Sequence, residues 1–174
     1  TINYRESYDI FAAIGILFNH ESPLRGLDFV TRKISDGVAR ISHGLINHIE
    51  LGNLDASRDW GYAPEYVNGM YKMMQHNKAD SFVLATNNAT TVRQFTEIAF
   101  KVIGIDIKWK GSGLKEVGLD SKTGNILVKV NKDLYRLAEV DALIGDYSKA
   151  EKEIGWSPVT RIDRLCQNMV ESDL

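Results

Sequence analysis

Residues 10–18 read IFAAIGILF, and residues 29–41 read FVTRKISDGVARI. The first stretch is a nearly continuous apolar run, which predicts a strand buried on both faces from Ile10 to Phe18. The second repeats apolar residues at spacings of three and four, which predicts an amphipathic helix. A polar loop, Asn19 to Arg25, is expected between them. An apolar strand followed by an amphipathic helix is typical of an α/β fold.

The same alternation continues to the end of the chain. Further strands are predicted at Ile46–Leu51, Ser81–Ala85, Ile105–Trp109 and Ile126–Val130. Further helices are predicted from Pro64 to His76 with an apolar stripe of Tyr66, Met70, Met73 and Met74, from Val92 to Ile103 behind a Thr91–Gln94 capping box, and from Ile162 to Val170. Residues 52–61 are expected to form a loop, and the glycine-rich stretch 111–124 a flexible turn.

Composition excludes several classes of function. The chain has 174 residues with a net charge of −2, so no global basic field favours nucleic acid. The single cysteine, Cys166, permits no internal disulfide and excludes the usual zinc arrays, so no metal site is expected. No apolar run is long enough for a membrane span and no signal-peptide pattern opens the chain, which predicts a cytoplasmic protein without a membrane partner. Because the chain begins on a threonine in an apparent helix end, we expect a piece of a longer protein.

Polar residues gather in three loops, at 19–26, 52–61 and 135–139, that follow apolar strands or flank helices. Open α/β sheets bind their ligands at such strand ends. Each loop contains an arginine, and a guanidinium donates two parallel charge-assisted hydrogen bonds that suit phosphate oxygens. The loops therefore predict a phosphorylated ligand. The alternative is internal pairing, since Asp59 stands beside Arg58 and Glu139 stands three residues after Arg136.

Five strings carry a resemblance to a known family. They are LFNHESP (17–23), FVTRKI (29–34), LGNLDASRDWG (51–61), YRLAEV (135–140) and GWSP (155–158). In this order they closely resemble the GDP-mannose 4,6-dehydratases, which belong to the extended short-chain dehydrogenases/reductases. The resemblance covers essentially the whole chain but only the second half of such an enzyme. It implies the C-terminal part of a Rossmann-type NAD(P)-binding fold with the small mixed α/β substrate-binding domain, interleaved as one unit over residues 1–174.

The resemblance also implies roles for individual residues. The residues that match substrate-binding positions of the family are Asn19, Lys33, Gly52, Arg58, Arg136 and Glu139. His20 and Arg25 match positions that contact NADP, on a loop that takes part in tetramer contacts. The chain departs from the family at Leu24 and Leu137, where the family usually has arginine and proline.

Other parts of the family pattern have no counterpart here. No tyrosine of the chain is followed by lysine four residues later, and no glycine-rich dinucleotide fingerprint occurs. The resemblance therefore implies no catalytic residue in this chain and a separate N-terminal half that supplies the chemistry. With that half, the family's reaction converts GDP-mannose to GDP-4-dehydro-6-deoxy-mannose by internal redox at NADP, in a homo-oligomer of two or four subunits. The alternatives are a non-catalytic fragment or interaction module, and a related nucleotide-sugar epimerase or reductase.

Overall fold

The computed structural model describes residues 1–135 and 143–174, over which helices and strands alternate. The helices are α1 (Ile2–Tyr8), α2 (Val30–Ser42), α3 (Ala63–Gln75), α4 (Val92–Val102), α5 (Ser148–Ile154) and α6 (Ile162–Asp173). The strands are β1 (Ile14–Leu17), β2 (Asn19–Glu21), β3 (Ile49–Leu51), β4 (Ser57–Arg58), β5 (Trp60–Tyr62), β6 (Ser81–Leu84), β7 (Thr90–Thr91), β8 (Ile107–Lys110), β9 (Val117–Asp120) and β10 (Ile126–Val130). Single 3-10 turns occupy Gly113–Lys115 and Lys132–Leu134.

The larger core lies between three helices and a mixed sheet. The sheet has the order β3-β10-β9-β8, with β3 parallel to β10 and the other pairs antiparallel. Helices α2, α4 and α6 pack together against this sheet. Their fully buried side chains include Ile34 and Val38 of α2, Phe95 and Phe100 of α4, and Leu165 and Met169 of α6. The apolar spacing that predicts these three helices thus marks the faces that they bury.

A second core lies beneath α3 and α5. It packs against the parallel pair β1-β6 and contains the buried side chains Tyr66, Met73, Phe82, Leu84, Ala150 and Trp156. Gly155 ends α5 at a φ of 58°, a left-handed conformation that glycine adopts without strain. The chain then returns Trp156 to the core, where its indole Nε1 donates to the carbonyl of Glu65 at 2.7 Å.

Two predictions about burial are partly wrong. Residues 10–18 do not form one strand buried on both faces: the strand spans 14–17, and Ile10 and Ile16 are each 50% exposed. Among the described residues β1 pairs only with β6, so its other edge has no strand partner there. On α3, Tyr66 and Met73 are buried, whereas Met70 and Met74 are 38% and 57% exposed. An apolar pattern shows which face of an element is suited to burial, whereas tertiary packing decides which of its side chains are buried.

The polar stretches predicted as loops contain short strands. Asn19–Glu21 pairs in parallel with Trp60–Tyr62, and Ser57–Arg58 pairs antiparallel with Thr90–Thr91. Similarly, Val117–Asp120 within the expected glycine-rich turn is the strand that joins β8 to β10. These strands escape sequence analysis because backbone pairing with distant segments forms them, without an apolar alternation to mark them.

Candidate functional site

A cavity of about 330 Å³ opens where β2, the start of α2 and the segment 51–58 meet. This volume lies within the range of small-molecule sites, roughly 300 to 1,000 Å³. Its lining combines cationic, amide, carboxylate and apolar groups. The lining residues are Asn19, Glu21, Asp28, Phe29, Val30, Thr31, Lys33, Leu51, Gly52, Asn53, Ala56, Arg58, Trp60, Val92 and Leu134.

Four residues predicted to bind substrate line this one cavity: Asn19, Lys33, Gly52 and Arg58. They come from β2, α2, the end of β3 and β4, so the fold brings together residues that are far apart in sequence. The other two, Arg136 and Glu139, lie outside the described residues. The described chain on each side of them reaches the site, because Leu134 lines the cavity and Leu143 forms a parallel bridge with Arg58.

The backbone of Arg58 is fixed by strand pairing on β4. It lies opposite Thr90 of β7, and its Nη1 donates to the carbonyl of Ser57 at 2.7 Å. The neighbouring carboxylate of Asp59 is buried and has other partners: it accepts from the backbone N–H groups of Thr86, Asn87 and Gly145 and from the Thr86 hydroxyl. Asp59 therefore anchors the turn after β6.

Gly52 permits a close approach of two backbones at the cavity wall. A Cβ at this position would lie 2.2 Å from the carbonyl oxygen of Leu134. A backbone carbonyl is held by its chain and cannot rotate away as a side chain does. Glycine at position 52 is therefore required for Leu134 to close this side of the cavity.

The start of α2 brings positive potential to the cavity. Phe29 is the residue before the helix and offers no side-chain cap to its first N–H groups. Phe29, Val30, Thr31 and Lys33 all line the cavity. The N-terminal end of a helix dipole and a lysine side chain both favour an anion. Together with Arg58, which also lines the cavity, they offer positive groups suited to a phosphate.

Glu21 and Thr31 are cavity residues that sequence analysis misses. The Thr31 hydroxyl donates to Oε2 of Glu21 at 2.7 Å, and both side chains are buried. Burial raises the pKa of Glu21, and the Thr31 hydrogen bond, Arg25 and His20 oppose the rise. Residues two apart on a strand share a face, so Glu21 shares its face with Asn19 once β2 is recognised as a strand. The sequence pattern does not mark β2 as a strand, so sequence analysis gives no reason to place Glu21 beside Asn19.

His20 and Arg25, predicted to contact a cofactor, are not among the residues that line this cavity. The His20 ring stacks on Tyr66 with centroids 5.1 Å apart, and its Nδ1 lies 2.9 Å from the carbonyl of Phe18. The Nε of Arg25 lies 3.2 Å from Oε2 of Glu21, and its guanidinium carbon lies 3.5 Å from the centre of the Phe29 ring. Both side chains are thus held by the protein immediately beside the cavity.

The described residues contain no group of three or more histidine, cysteine, aspartate or glutamate side chains that could hold a metal ion. Cys166 is buried on α6, where burial raises the pKa of its thiol. Over the same part of the chain, every helix is too short or too polar to cross a membrane.

Comparison with protein families decides the classification. Residues 1–169 match the family model described as GDP-mannose 4,6 dehydratase. The chain belongs to the GDP-mannose 4,6-dehydratase family. Proteins named GDP-mannose 4,6 dehydratase from Drosophila melanogaster and Homo sapiens are 48% and 47% identical over 99% of the chain, which covers 44% and 46% of their own lengths. The chain thus spans about half the length of the curated relatives it matches.

Solved structures confirm the expected fold class for this family member. RMD from Pseudomonas aeruginosa complexed with NADPH superposes with a TM-score of 0.80 at 17% identity, over 99% of this chain and 51% of that one. dTDP-glucose 4,6-dehydratase from Bacillus anthracis in complex with NAD gives a TM-score of 0.74 at 14% identity, over 98% of this chain and 47% of that one. The chain therefore has a mixed α/β fold that corresponds to about half of each of these Rossmann-type enzymes.

Proposed function

We propose that this chain provides the nucleotide-sugar site of an NADP-dependent GDP-mannose 4,6-dehydratase, which converts GDP-mannose to GDP-4-dehydro-6-deoxy-mannose. The observation that carries the proposal is the convergence of Asn19, Lys33, Gly52 and Arg58 on one cavity. Family membership over residues 1–169 supports the same substrate class. In this proposal the chain is the C-terminal part of a longer enzyme that acts as a homo-oligomer.

Each of these residues has a role in the proposed binding mode. Lys33 and Arg58 neutralise the diphosphate together with the N-terminal end of α2. The Asn19 amide donates to one ligand oxygen and accepts from a sugar hydroxyl. Gly52 lets the chain pass close to the nucleotide. Arg136 and Glu139 are proposed as a second diphosphate arginine and as the acceptor for the ribose hydroxyls.

The residues beside the cavity fit a phosphate-bearing cofactor. The Arg25 side chain is 25% exposed and its Nε lies 3.2 Å from Oε2 of Glu21, and in the proposed binding mode its other guanidinium N–H groups donate to a phosphate. His20 has its Nε2 still available while Nδ1 lies against the carbonyl of Phe18. A bound nicotinamide supplies the hydride acceptor and donor of an internal redox reaction. Within this chain, His20 and Arg25 orient that cofactor, and the proton-transfer residues are proposed to lie in the rest of the enzyme.

Calorimetry with GDP tests the substrate site in the full-length protein. We expect Arg58→Ala to weaken GDP binding more than about tenfold, since a charge-assisted hydrogen bond contributes about 1.5–3 kcal/mol. Arg164→Ala is the matched control, because Arg164 lies exposed on α6 and bonds to Gln167. Equal GDP affinity in the two variants would contradict the proposed site.

Product analysis tests the reaction. Full-length protein incubated with GDP-mannose and NADP is expected to release GDP-4-dehydro-6-deoxy-mannose, identified by mass and NMR. A C4- or C5-epimer or a reduced sugar as sole product would instead assign the chain to an epimerase or reductase. Absence of turnover together with retained GDP binding would favour the non-catalytic binding module.

A further inference from the structure

The buried carboxylate of Glu21 lies at the junction of three elements around the cavity. It is 2% exposed and ends β2, whose first residue is Asn19. Strand β2 is held in place by parallel pairing with β5, where Glu21 lies opposite Tyr62. Glu21 is thus fixed at the end of a paired strand.

A single oxygen of this carboxylate meets two groups that lie after β2 in the chain. Oε2 accepts from the hydroxyl of Thr31, the second residue of α2, at 2.7 Å. The same oxygen lies 3.2 Å from Nε of Arg25. The Arg25 guanidinium in turn covers the ring of Phe29, the residue that precedes α2. Two connections from Glu21, one direct and one through Arg25, therefore reach the start of α2.

Stability alone does not account for a carboxylate in this position. Burying a charge has a desolvation cost, and well-packed apolar side chains often replace a buried ion pair without loss of stability. What the carboxylate adds is direction, because a hydrogen bond fixes the distance and angle between β2 and α2. Two proposed ligand contacts lie on these elements, Asn19 on β2 and Lys33 on α2. The bond between Glu21 and Thr31 therefore sets the distance between them.

We propose that Glu21 is a positioning residue for the nucleotide-sugar site, holding the start of α2 through Thr31 and Arg25 at the spacing that GDP requires; this inference rests on the proposed function. Glu21 acts through these neighbours and itself makes no contact with the diphosphate. One carboxylate also connects the substrate side, at Thr31, to the cofactor side, at Arg25.

Variants of Thr31 in the full-length protein test the proposal. Thr31→Val keeps the side-chain shape and removes the bond to Glu21, and we expect it to weaken GDP binding about three- to tenfold. Thr31→Ser keeps a hydroxyl and is expected to restore affinity to within about twofold. The matched control is Thr160→Val. The Thr160 hydroxyl donates to the Glu65 carboxylate at 2.6 Å, and neither residue lines this cavity. This control is expected to leave GDP affinity unchanged even where it lowers the unfolding temperature.

Hydrogen exchange without ligand separates positioning from direct contact. The Lys33 amide donates to the Phe29 carbonyl at 2.9 Å, a bond of the first turn of α2. We expect peptides covering 29–36 to exchange faster in Thr31→Val than in wild type, Thr31→Ser or Thr160→Val, whether or not GDP binds. Unchanged exchange in Thr31→Val overturns the proposal, as does an equal loss of GDP affinity in Thr31→Val and Thr160→Val. A wild-type protein that fails to bind GDP would instead refute the proposed function, and the exchange result would still decide the position of α2.

Discussion

The Glu21 carboxyl combines a hydrogen bond, an ion pair and burial at one position, and these act in opposite directions on its charge. Burial is the largest influence and raises its pKa, while the Thr31 hydroxyl, Arg25 and His20 favour the ionised form. The folded protein therefore holds this proton more tightly than the unfolded chain. That contribution to stability is complete below the unfolded-state pKa and is lost as pH rises through the folded-state pKa.

Glu21→Gln removes this titration while keeping the size of the side chain. As the pH rises above the usual pKa of a glutamate, we expect the free energy of unfolding of Glu21→Gln to rise relative to that of wild type, because only the wild type must ionise a buried group. Urea unfolding of the full-length protein at several pH values measures the difference. Glu153→Gln on the exposed face of α5 is the control, and its curve is expected to run parallel to wild type. If the stability of Glu21→Gln relative to wild type instead falls as pH rises, the pKa of Glu21 is lowered by folding and the expectation is wrong.

Gly52 is the second residue whose surroundings define a test. Gly52→Ala would place a methyl group 2.2 Å from the Leu134 carbonyl oxygen. We expect a loss of about 1–3 kcal/mol in the free energy of unfolding, the usual cost of overpacking. Gly26→Ala is the matched control, because its Cβ would lie 3.6 Å from the Phe29 ring, an ordinary contact. Equal stability of the two variants in thermal unfolding would show that Leu134 moves aside freely.

At the scale of elements, α4 holds one wall of the cavity in place. Its first two residues bond to the segment between β3 and β4: the amides of Val92 and Arg93 donate to the carbonyls of Ala56 and Leu54. The Arg93 side chain also pairs with Asp55 and Glu116. The predicted capping box is confirmed, since the Thr91 hydroxyl accepts from the Gln94 amide and the Gln94 side chain accepts from the Thr91 amide. Hence the start of α4 is tied to the segment that carries Arg58.

Removing the cap tests this arrangement. Thr91→Ala is expected to lower the free energy of unfolding by about 1 kcal/mol, because it leaves a first-turn amide of α4 without its acceptor. Thr91→Ser retains the acceptor and is expected to retain most of the stability. Chemical unfolding of both variants measures the effect. A larger loss in Thr91→Ser than in Thr91→Ala would indicate that the threonine methyl group, rather than the cap, stabilises this element.

At the scale of the whole molecule, a group of exposed apolar side chains lies on α1, on β1 and on the segment between them. Tyr4, Tyr8, Ile10, Phe11 and Ile16 are all between 42% and 68% exposed. The outer edge of β1 has no strand partner among the described residues. An open apolar strand edge is a site for pairing with another chain.

We therefore expect the 174-residue chain on its own to self-associate through β1. Sedimentation velocity over a range of concentrations measures the association. Ile16→Lys is expected to reduce it, because a charged side chain on an edge strand disfavours pairing. Val159→Lys, at an exposed apolar residue away from β1, is the control. A chain that remains monomeric at every concentration would contradict this expectation.

The sequence by itself determined the fold class, the amphipathic helices and the family. Apolar spacing marks the buried faces of α2, α4 and α6, and the Thr91–Gln94 pair marks the start of α4. These features depend on residues close together in the chain, so local pattern is sufficient to reveal them. The strings around Asn19, Lys33 and Arg58 likewise identify the family without any knowledge of their spatial arrangement.

Only the tertiary structure decided that Asn19, Lys33, Gly52 and Arg58 share one cavity, that β2 and β4 are strands, and that Asp59 anchors the turn after β6. It also revealed Glu21 as the link between β2 and α2. The physical reason is common to all of them. Each depends on hydrogen bonds or backbone pairing between segments that are far apart in the chain, such as the 10 residues from Glu21 to Thr31 or the 86 from Asp59 to Gly145. Such contacts produce no periodic pattern of apolar residues in either segment.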